Sequence, residues 1–397
     1  MNVLKSARLH IGIFGKTNAG KSSLLNRITN QEVSIVSDIA GTTTDIVEKS
    51  MELLPIGPVN FLDTAGINDK TALAAERIAK TMKILNRVDV AIIVCDYNGI
   101  DDYEKSLINN FKELNIPYII VVNKTDLHEI SNNKLQEIKN LCNEVLVTST
   151  INDENLVYRL KSLLVKVLPE DFVNSPKIVG DLISEKSTVV LVVPIDKEAP
   201  KGRLILPQVQ TLRDLLDSHC MSLVVKETEL HEALMNLKTP PALVITDSQA
   251  FKQVDEIVSE NIALTSFSIL FARLKGDLQA FVRGAKAIDT LQDGDKILIL
   301  ESCTHHAIED DIGRVKIPNL LKKKTGKNLI IEHRAGHDFP DISGYKLIIH
   351  CGACMTNRRE VLSRILIANS KEIPISNYGI VISYCLGILP RAMKIFM

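Results

Sequence analysis

The stretch LHIGIFGKTNAGKSSLLNRI at residues 9–28 constrains this chain more than any other. An apolar strand runs into Gly15, and apolar residues at helical spacing begin after Ser23. Between them stands G-x-x-x-x-G-K-S, in the strand–turn–helix context that gives the pattern its meaning. Glycines at 15 and 20 let the backbone turn so tightly that its N–H groups converge on phosphate oxygens. Lys21 supplies a cation to the β- and γ-phosphates, and Ser22 a hydroxyl to Mg²⁺. The expected cradle is therefore Gly15, Asn18, Ala19, Gly20, Lys21, Ser22 and Ser23.

Later segments agree in order and kind. VNFLDTAG is a strand ending in Asp63, placed for the magnesium shell, with the N–H of Gly66 able to meet a γ-phosphate. VDVAIIVCD and PYIIVVNKTDL are buried strands, the second ending in Asn123, Lys124, Thr125 and Asp126. A carboxylate at Asp126 can accept both the N1–H and the 2-amino hydrogens of guanine. Adenine offers no such pair of donors, so an unpaired buried carboxylate would reject it. EVLVTST adds a strand whose end, Ser149, borders the base. Residues 1–172 are expected to be a P-loop GTPase domain using GTP and Mg²⁺.

Ile67 follows DTAG, where Ras-like enzymes carry the glutamine that orients water, and an apolar side chain cannot do that work. Asn18 has two readings: it suits a tight loop, or it supports a second cation beside the phosphates. Together with SDIAGTTTD at 37–45, it resembles the potassium-dependent GTPases related to the tRNA-modifying MnmE (TrmE) family. That resemblance implies K⁺ held by Asn18, Ser37, Ile39 and Thr42, and Mg²⁺ held by Ser22 and Thr43. It makes Lys21, Asn18, Thr43 and Gly66 the contributors to hydrolysis, through electrostatic stabilisation of the transition state. Thr44 stands where that family commonly has arginine.

At 397 residues the chain exceeds one compact core. A net charge of −1 and 4% aromatic residues give no general nucleic-acid surface. No run approaches the roughly 18 apolar residues of a membrane span, and the start lacks a signal-peptide pattern, so a cytoplasmic protein is expected. VLPEDFVNSPKIVGD marks a boundary near 170–180. Beyond it, TVVLVVPID, LPQVQTLRDLLDSH, MSLVVKE, ELHEALMNL, ALVITDS and FKQVDEIV alternate strand and helix, predicting a small, mostly parallel α/β module at 178–263. This module shows no ligand spacing and suits dimerisation.

The chain has seven cysteines, an odd number that argues against a disulfide framework in a reducing compartment. Cys95, Cys142 and Cys220 have no partner at metal-ligand spacing and read as buried hydrophobes. Residues 264–397 differ. KILILES leads to Cys303 and His305, NLIIEHRAGH carries His333 and His337, and YKLIIHCGAC ends in His350, Cys351 and Cys354. YGIVISYC reads as a fourth strand ending at Cys385. In parallel sheets functional groups collect beyond the carboxyl ends of strands, so one edge could gather these sulfurs, with Gly352 easing the turn between the close pair. Three readings stand: inert buried thiols; a structural zinc site of Cys303, His305, Cys351 and Cys354; or a cluster in which three thiolates hold three irons and leave the fourth for another ligand. A radical enzyme would group its three cysteines closely; here they are split between distant segments.

The order of GTPase, α/β module, C-x-H at 303–305 and H-C-x-x-C at 350–354 resembles the [FeFe]-hydrogenase maturation GTPases of the HydF family. VVPIDKEAPKGRLILPQVQ shares that likeness, which spans essentially the whole chain. The resemblance implies a [4Fe-4S] cluster on Cys303, Cys351 and Cys354, in an α/β domain with a mostly parallel sheet. It further implies a homodimer through the middle domain and a transient diiron precursor. That precursor would be received from the radical-SAM maturases HydE and HydG and passed to apo-[FeFe]-hydrogenase. His305 and His350 match the family histidines as candidate fourth ligands; Glu309, Asp310, water, the precursor and Cys385 are the alternatives. The competing expectation is a regulatory GTPase with a structural zinc domain, acting in RNA modification or ribosome assembly.

Overall fold

The computed structural model describes residues 8–29, 47–54, 56–63, 83–168, 177–195, 202, 204–301, 311–336, 339–353 and 356–397, excepting the side chains of Val47 and Asp63. They pack as two compact units, 1–175 and 176–397.

The first unit runs β1 (Leu9–Phe14), α1 (Lys21–Thr29), β2 (Val47–Leu53), β3 (Gly57–Asp63), β4 (Val90–Cys95), α2 (Asp102–Glu113), β5 (Tyr118–Val122), α3 (Asn132–Leu141), β6 (Val145–Val147) and α4 (Leu156–Val167). Its six strands lie in the order β2-β3-β1-β4-β5-β6, and only β2 is antiparallel to its neighbour. Every residue of β1 and β4 is buried, because helices cover both faces of the sheet. Alternation along the strands sends Leu9, Ile11 and Ile13 to a core with Leu24 of α1 and Leu160 of α4. Phe14, Ala91 and Ile93 pack on the other face with Leu107 and Phe111 of α2 and Ile138 of α3. The carboxyl ends of β1, β3, β5 and β6, each carrying a motif, consequently share one edge.

The second unit holds two four-stranded, wholly parallel sheets. The first is built from β7 (Thr188–Val192), α5 (Leu206–Asp217), β8 (Met221–Val225), α6 (Leu230–Asn236), β9 (Leu243–Thr246), α7 (Phe251–Ile257) and β10 (Ala263–Ser266), with strand order β10-β9-β7-β8. Helices α8 (Phe267–Lys275) and α9 (Leu278–Lys286) lead to β11 (Lys296–Glu301), α10 (Ile317–Thr325), β12 (Ile330–Ala335), β13 (Leu347–His350), α11 (Arg358–Ser370), β14 (Ile375–Asn377), α12 (Tyr378–Cys385) and α13 (Leu389–Met393). The second sheet has the order β12-β11-β13-β14. One core joins the sheets: Val190, Val192 and Val244 pack in the same cluster as Leu298, Leu300 and Ile348. The chain also returns to the first sheet at its end, where Thr265 Oγ1 donates to the Ala392 carbonyl and Arg391 to the carbonyls of Val258 and Ser259.

YGIVISYC is a helix, not the fourth strand expected from its apolar run. The fourth strand is the shorter ISN before it, and the Asn377 side chain then accepts the Ile380 N–H at 3.0 Å, capping α12. Five consecutive residues, Gly379–Ser383, are buried, so the run shows no polar face by which periodicity could separate helix from strand. Gly379 is required there, since a Cβ would lie 2.4 Å from that of Ser268 on α8. His333 lies within β12 opposite Ile299 rather than at the strand's end, and its Nε2 is 3.1 Å from the Gly313 carbonyl. No helix among the described residues is long and apolar enough to cross a membrane.

Candidate functional site

The G-x-x-x-x-G-K-S segment joins β1 to α1 at the carboxyl edge of the first sheet. Gly15 has φ 137°, and a Cβ there would stand 2.1 Å from the Val94 carbonyl of β4, so only glycine permits this approach. Asn18 is left-handed (φ 66°), a conformation asparagine tolerates better than most residues, which is by itself a local reason for its presence. The Lys21 ammonium is buried and donates to the carbonyls of Gly15 and Lys16, both at 2.7 Å, which centres it in the loop.

Asn123, at the end of β5, couples the loop to the base side of the site. Its Nδ2 donates to the Ala19 carbonyl at 3.1 Å, and its Oδ1 accepts the Thr150 N–H at 3.0 Å, in a site only 1% exposed. Gly20 (φ 100°) makes room for this clamp, because a Cβ would fall 2.1 Å from Asn123 Nδ2. Lys124 is left-handed (φ 63°), setting the turn that presents Asp126. Ser149 Oγ donates to Asp126 Oδ1 at 2.6 Å while receiving the N–H groups of Ile151 and Asn152. The carboxylate that would read guanine is thus oriented in advance.

An acid pair flanks the phosphate loop. Asp101 and Glu104 form a capping box on α2, and Lys16 of the phosphate loop pairs with Asp101. Burial pushes the Glu104 carboxyl up to about 7, while its hydrogen bond to Glu104 and the Lys16 ammonium hold Asp101 well below the usual range. The D-x-x-E spacing was the available signal. Ser37, Ile39, Thr42, Thr43, Thr44, Gly66 and Ile67 lie outside the described residues, as does the side chain of Asp63.

In the second unit, β11 and β13 are neighbours with Leu300 opposite His350, and the Cys351 N–H continues the ladder to the Leu300 carbonyl at 2.8 Å. Cys303, His305, Glu309, Asp310, His337 and Cys354 lie outside the described residues. The left-handed residue of the turn is Ala353 (φ 54°), not Gly352 as the sequence suggested. The turn is followed by α11, capped by Asn357, and the buried Lys275 ammonium donates to the Thr356 carbonyl at 3.1 Å. Cys303, Cys351 and Cys354 supply a soft, three-sulfur donor set, and that donor chemistry fits an iron–sulfur group. Among the described residues no three metal-binding side chains come together.

His350 is buried, with Nδ1 2.8 Å from the Cys351 carbonyl and Nε2 2.5 Å from Arg364. Cys385 packs in the core below β11 and β13, and burial raises its thiol to about 11, keeping it protonated at neutral pH. Cys95, Cys142 and Cys220 are buried, as their sequence surroundings suggested.

Two family profiles match the second unit. The hydrogen maturase F dimerization domain covers residues 178–276, and the hydrogen maturase F tetramerization domain covers 279–395, together more than half of the chain. The chain belongs to the hydrogen maturase F family. A third profile, the 50S ribosome-binding GTPase, matches residues 10–124, and the first unit of this maturase F chain is a P-loop GTPase domain. The tRNA modification GTPase MnmE of Mesoplasma florum is 36% identical over 45% of this chain and 40% of its own length. GTPase Der of Nitratiruptor sp. is 34% identical over 41% of this chain and 37% of its own. The chain thus spans about two fifths of these curated relatives. The solved G domain of the T. maritima FeoB iron transporter covers 40% of this chain and 98% of its own at 23% identity, with a TM-score of 0.31, a likeness too slight to inform the fold.

Proposed function

We propose that this maturase F chain is a GTP-hydrolysing scaffold for [FeFe]-hydrogenase maturation. It binds a [4Fe-4S] cluster through Cys303, Cys351 and Cys354, accepts a diiron precursor from HydE and HydG, and passes it to apo-hydrogenase in the cytoplasm. The observation that carries this reading is the pairing of β11 with β13, the strands that precede the two cysteine segments in sequence, in a chain of this family. The cluster, when bound, would supply an iron site open to exchangeable ligands, and the three thiolates would hold it.

In the first unit, Lys21 and the loop amides take the phosphates, Ser22 and Thr43 hold Mg²⁺, and Asp126 reads guanine. Asn18, Ser37, Ile39 and Thr42 would hold K⁺, whose charge would stabilise the transition state in a chain that has Ile67 where Ras-like enzymes have glutamine. The homodimer forms through the first sheet of the second unit. There β8 is an edge strand with Met221 and Val224 exposed, next to exposed Val209 and Leu216 on α5. GTP hydrolysis controls docking with the maturases by relaxing segments 37–45 and 63–80. Affinity for HydE or HydG is measured with GDP and with a non-hydrolysable GTP analogue. A difference of tenfold or more is expected by order of magnitude, and equal affinities refute the coupling.

A further inference from the structure

The ring of His350 has no lone pair left to give. A carbonyl only accepts, so the contact with Cys351 O places the hydrogen on Nδ1. A guanidinium only donates, so Nε2 is already accepting from Arg364 at 2.5 Å. Arg364 is itself fixed by Glu360 one turn earlier at 2.6 Å, by the Gly336 carbonyl at 3.4 Å and by the Phe339 ring at 5.9 Å. His350, Arg364 and Glu360 are 1%, 2% and 3% exposed. Strand alternation agrees with these contacts. Ile348 faces the core that contains Val361 and Ile365 of α11, and His350, two residues on, faces the same way. Cys351 follows Ile349, whose side chain lies on the opposite face with Leu347 and Ile299.

We propose that Arg364, braced by Glu360, is a positioning residue that acts through His350 on the backbone of Cys351, and that His350 is not an iron ligand. Nδ1–H of His350 fixes the carbonyl of Cys351, the first residue beyond β13. The fourth iron is left to a ligand from elsewhere. The inference rests on the cluster reading above.

The test uses the full chain, reconstituted anaerobically and reduced, as wild type, His350→Gln, Arg364→Lys and the double variant Glu360→Gln/Arg364→Met. The double variant removes both buried charges together, so no lone carboxylate stays buried to unfold the protein; its circular dichroism and unfolding transition are recorded alongside. Any imidazole-nitrogen coupling in the pulsed EPR of the wild type is expected to survive in His350→Gln. In the folded double variant, the EPR line shape changes and loss of iron to a chelator speeds up by about 10–100-fold. Arg364→Lys, which keeps a donor to Nε2, largely restores both. An imidazole coupling in wild type that His350→Gln abolishes overturns the inference, as does a folded double variant with wild-type spectrum and iron retention. Wild-type protein with no iron or sulfide instead overturns the cluster reading itself.

Discussion

Replacing Asn123 by alanine tests how the two halves of the nucleotide site are held together. The change removes the bonds to the Ala19 carbonyl and the Thr150 N–H, leaving two buried backbone groups without their amide partner. Each such bond contributes about 1 kcal/mol net, and orphaned partners raise the cost, so the clamp is worth about 2–3 kcal/mol. Once it is gone the phosphate loop relaxes, and binding must restore the geometry at the expense of affinity. At 1.4 kcal/mol per tenfold, GTP and GDP should both bind roughly 30- to 140-fold more weakly. Gly20→Ala should act through the same clamp: its Cβ displaces the amide that stands 2.1 Å away, and its positive φ adds about 1–2 kcal/mol of strain. The two changes must therefore be non-additive, since removing Asn123 also removes the clash. Fluorescent-nucleotide titration of both single variants and the double variant gives the cycle. A loss of under about threefold for Asn123→Ala, or additivity within about 0.5 kcal/mol, would refute the clamp.

Further outcomes follow from the same geometry. Asp126→Asn exchanges a double acceptor for a donor and an acceptor, so GTP affinity should fall about 100-fold or more while xanthine nucleotides gain; unchanged preference in competition binding contradicts the assignment. Glu104 has a folded-state value near 7 against an ordinary 4.5, so its ionisation destabilises the native state. The penalty is absent below about pH 4, grows through the window up to about 7 and is constant above it. Glu104→Gln should consequently raise Tm by about 5 °C at pH 8 and leave it unchanged at pH 4; a gain at acid pH instead reverses the sign and rejects the buried-acid argument. Hydrolysis should slow by an order of magnitude or more when Na⁺ replaces K⁺, and equal turnover removes the second cation from the mechanism.

The nucleotide half was legible because its motifs are local: glycines at 15 and 20 mark backbone that no other residue can adopt, and the apolar strands announce themselves by composition. The clamp was not legible, because Asn123 and Ala19 lie 104 residues apart and meet only when β5 lies beside β4 and β1. In the last third, strands ending at Glu301 and His350 were readable, and so was the shared edge. The helix at 378–385 was not, since a fully buried run carries no periodicity. The role of Arg364 was hidden in an ordinary Glu–Arg pair one turn apart, a pattern that usually marks a solvated helix face. Here the pair is buried, and burial is a tertiary fact.

The most direct measurement is anaerobic iron, sulfide and zinc analysis, with EPR of the reduced protein, on wild type and Cys351→Ala. The account predicts about four irons and four sulfides per chain with a reducible cluster signal, and loss of that signal in the variant. One tightly held zinc with no sulfide in anaerobically prepared protein would contradict it.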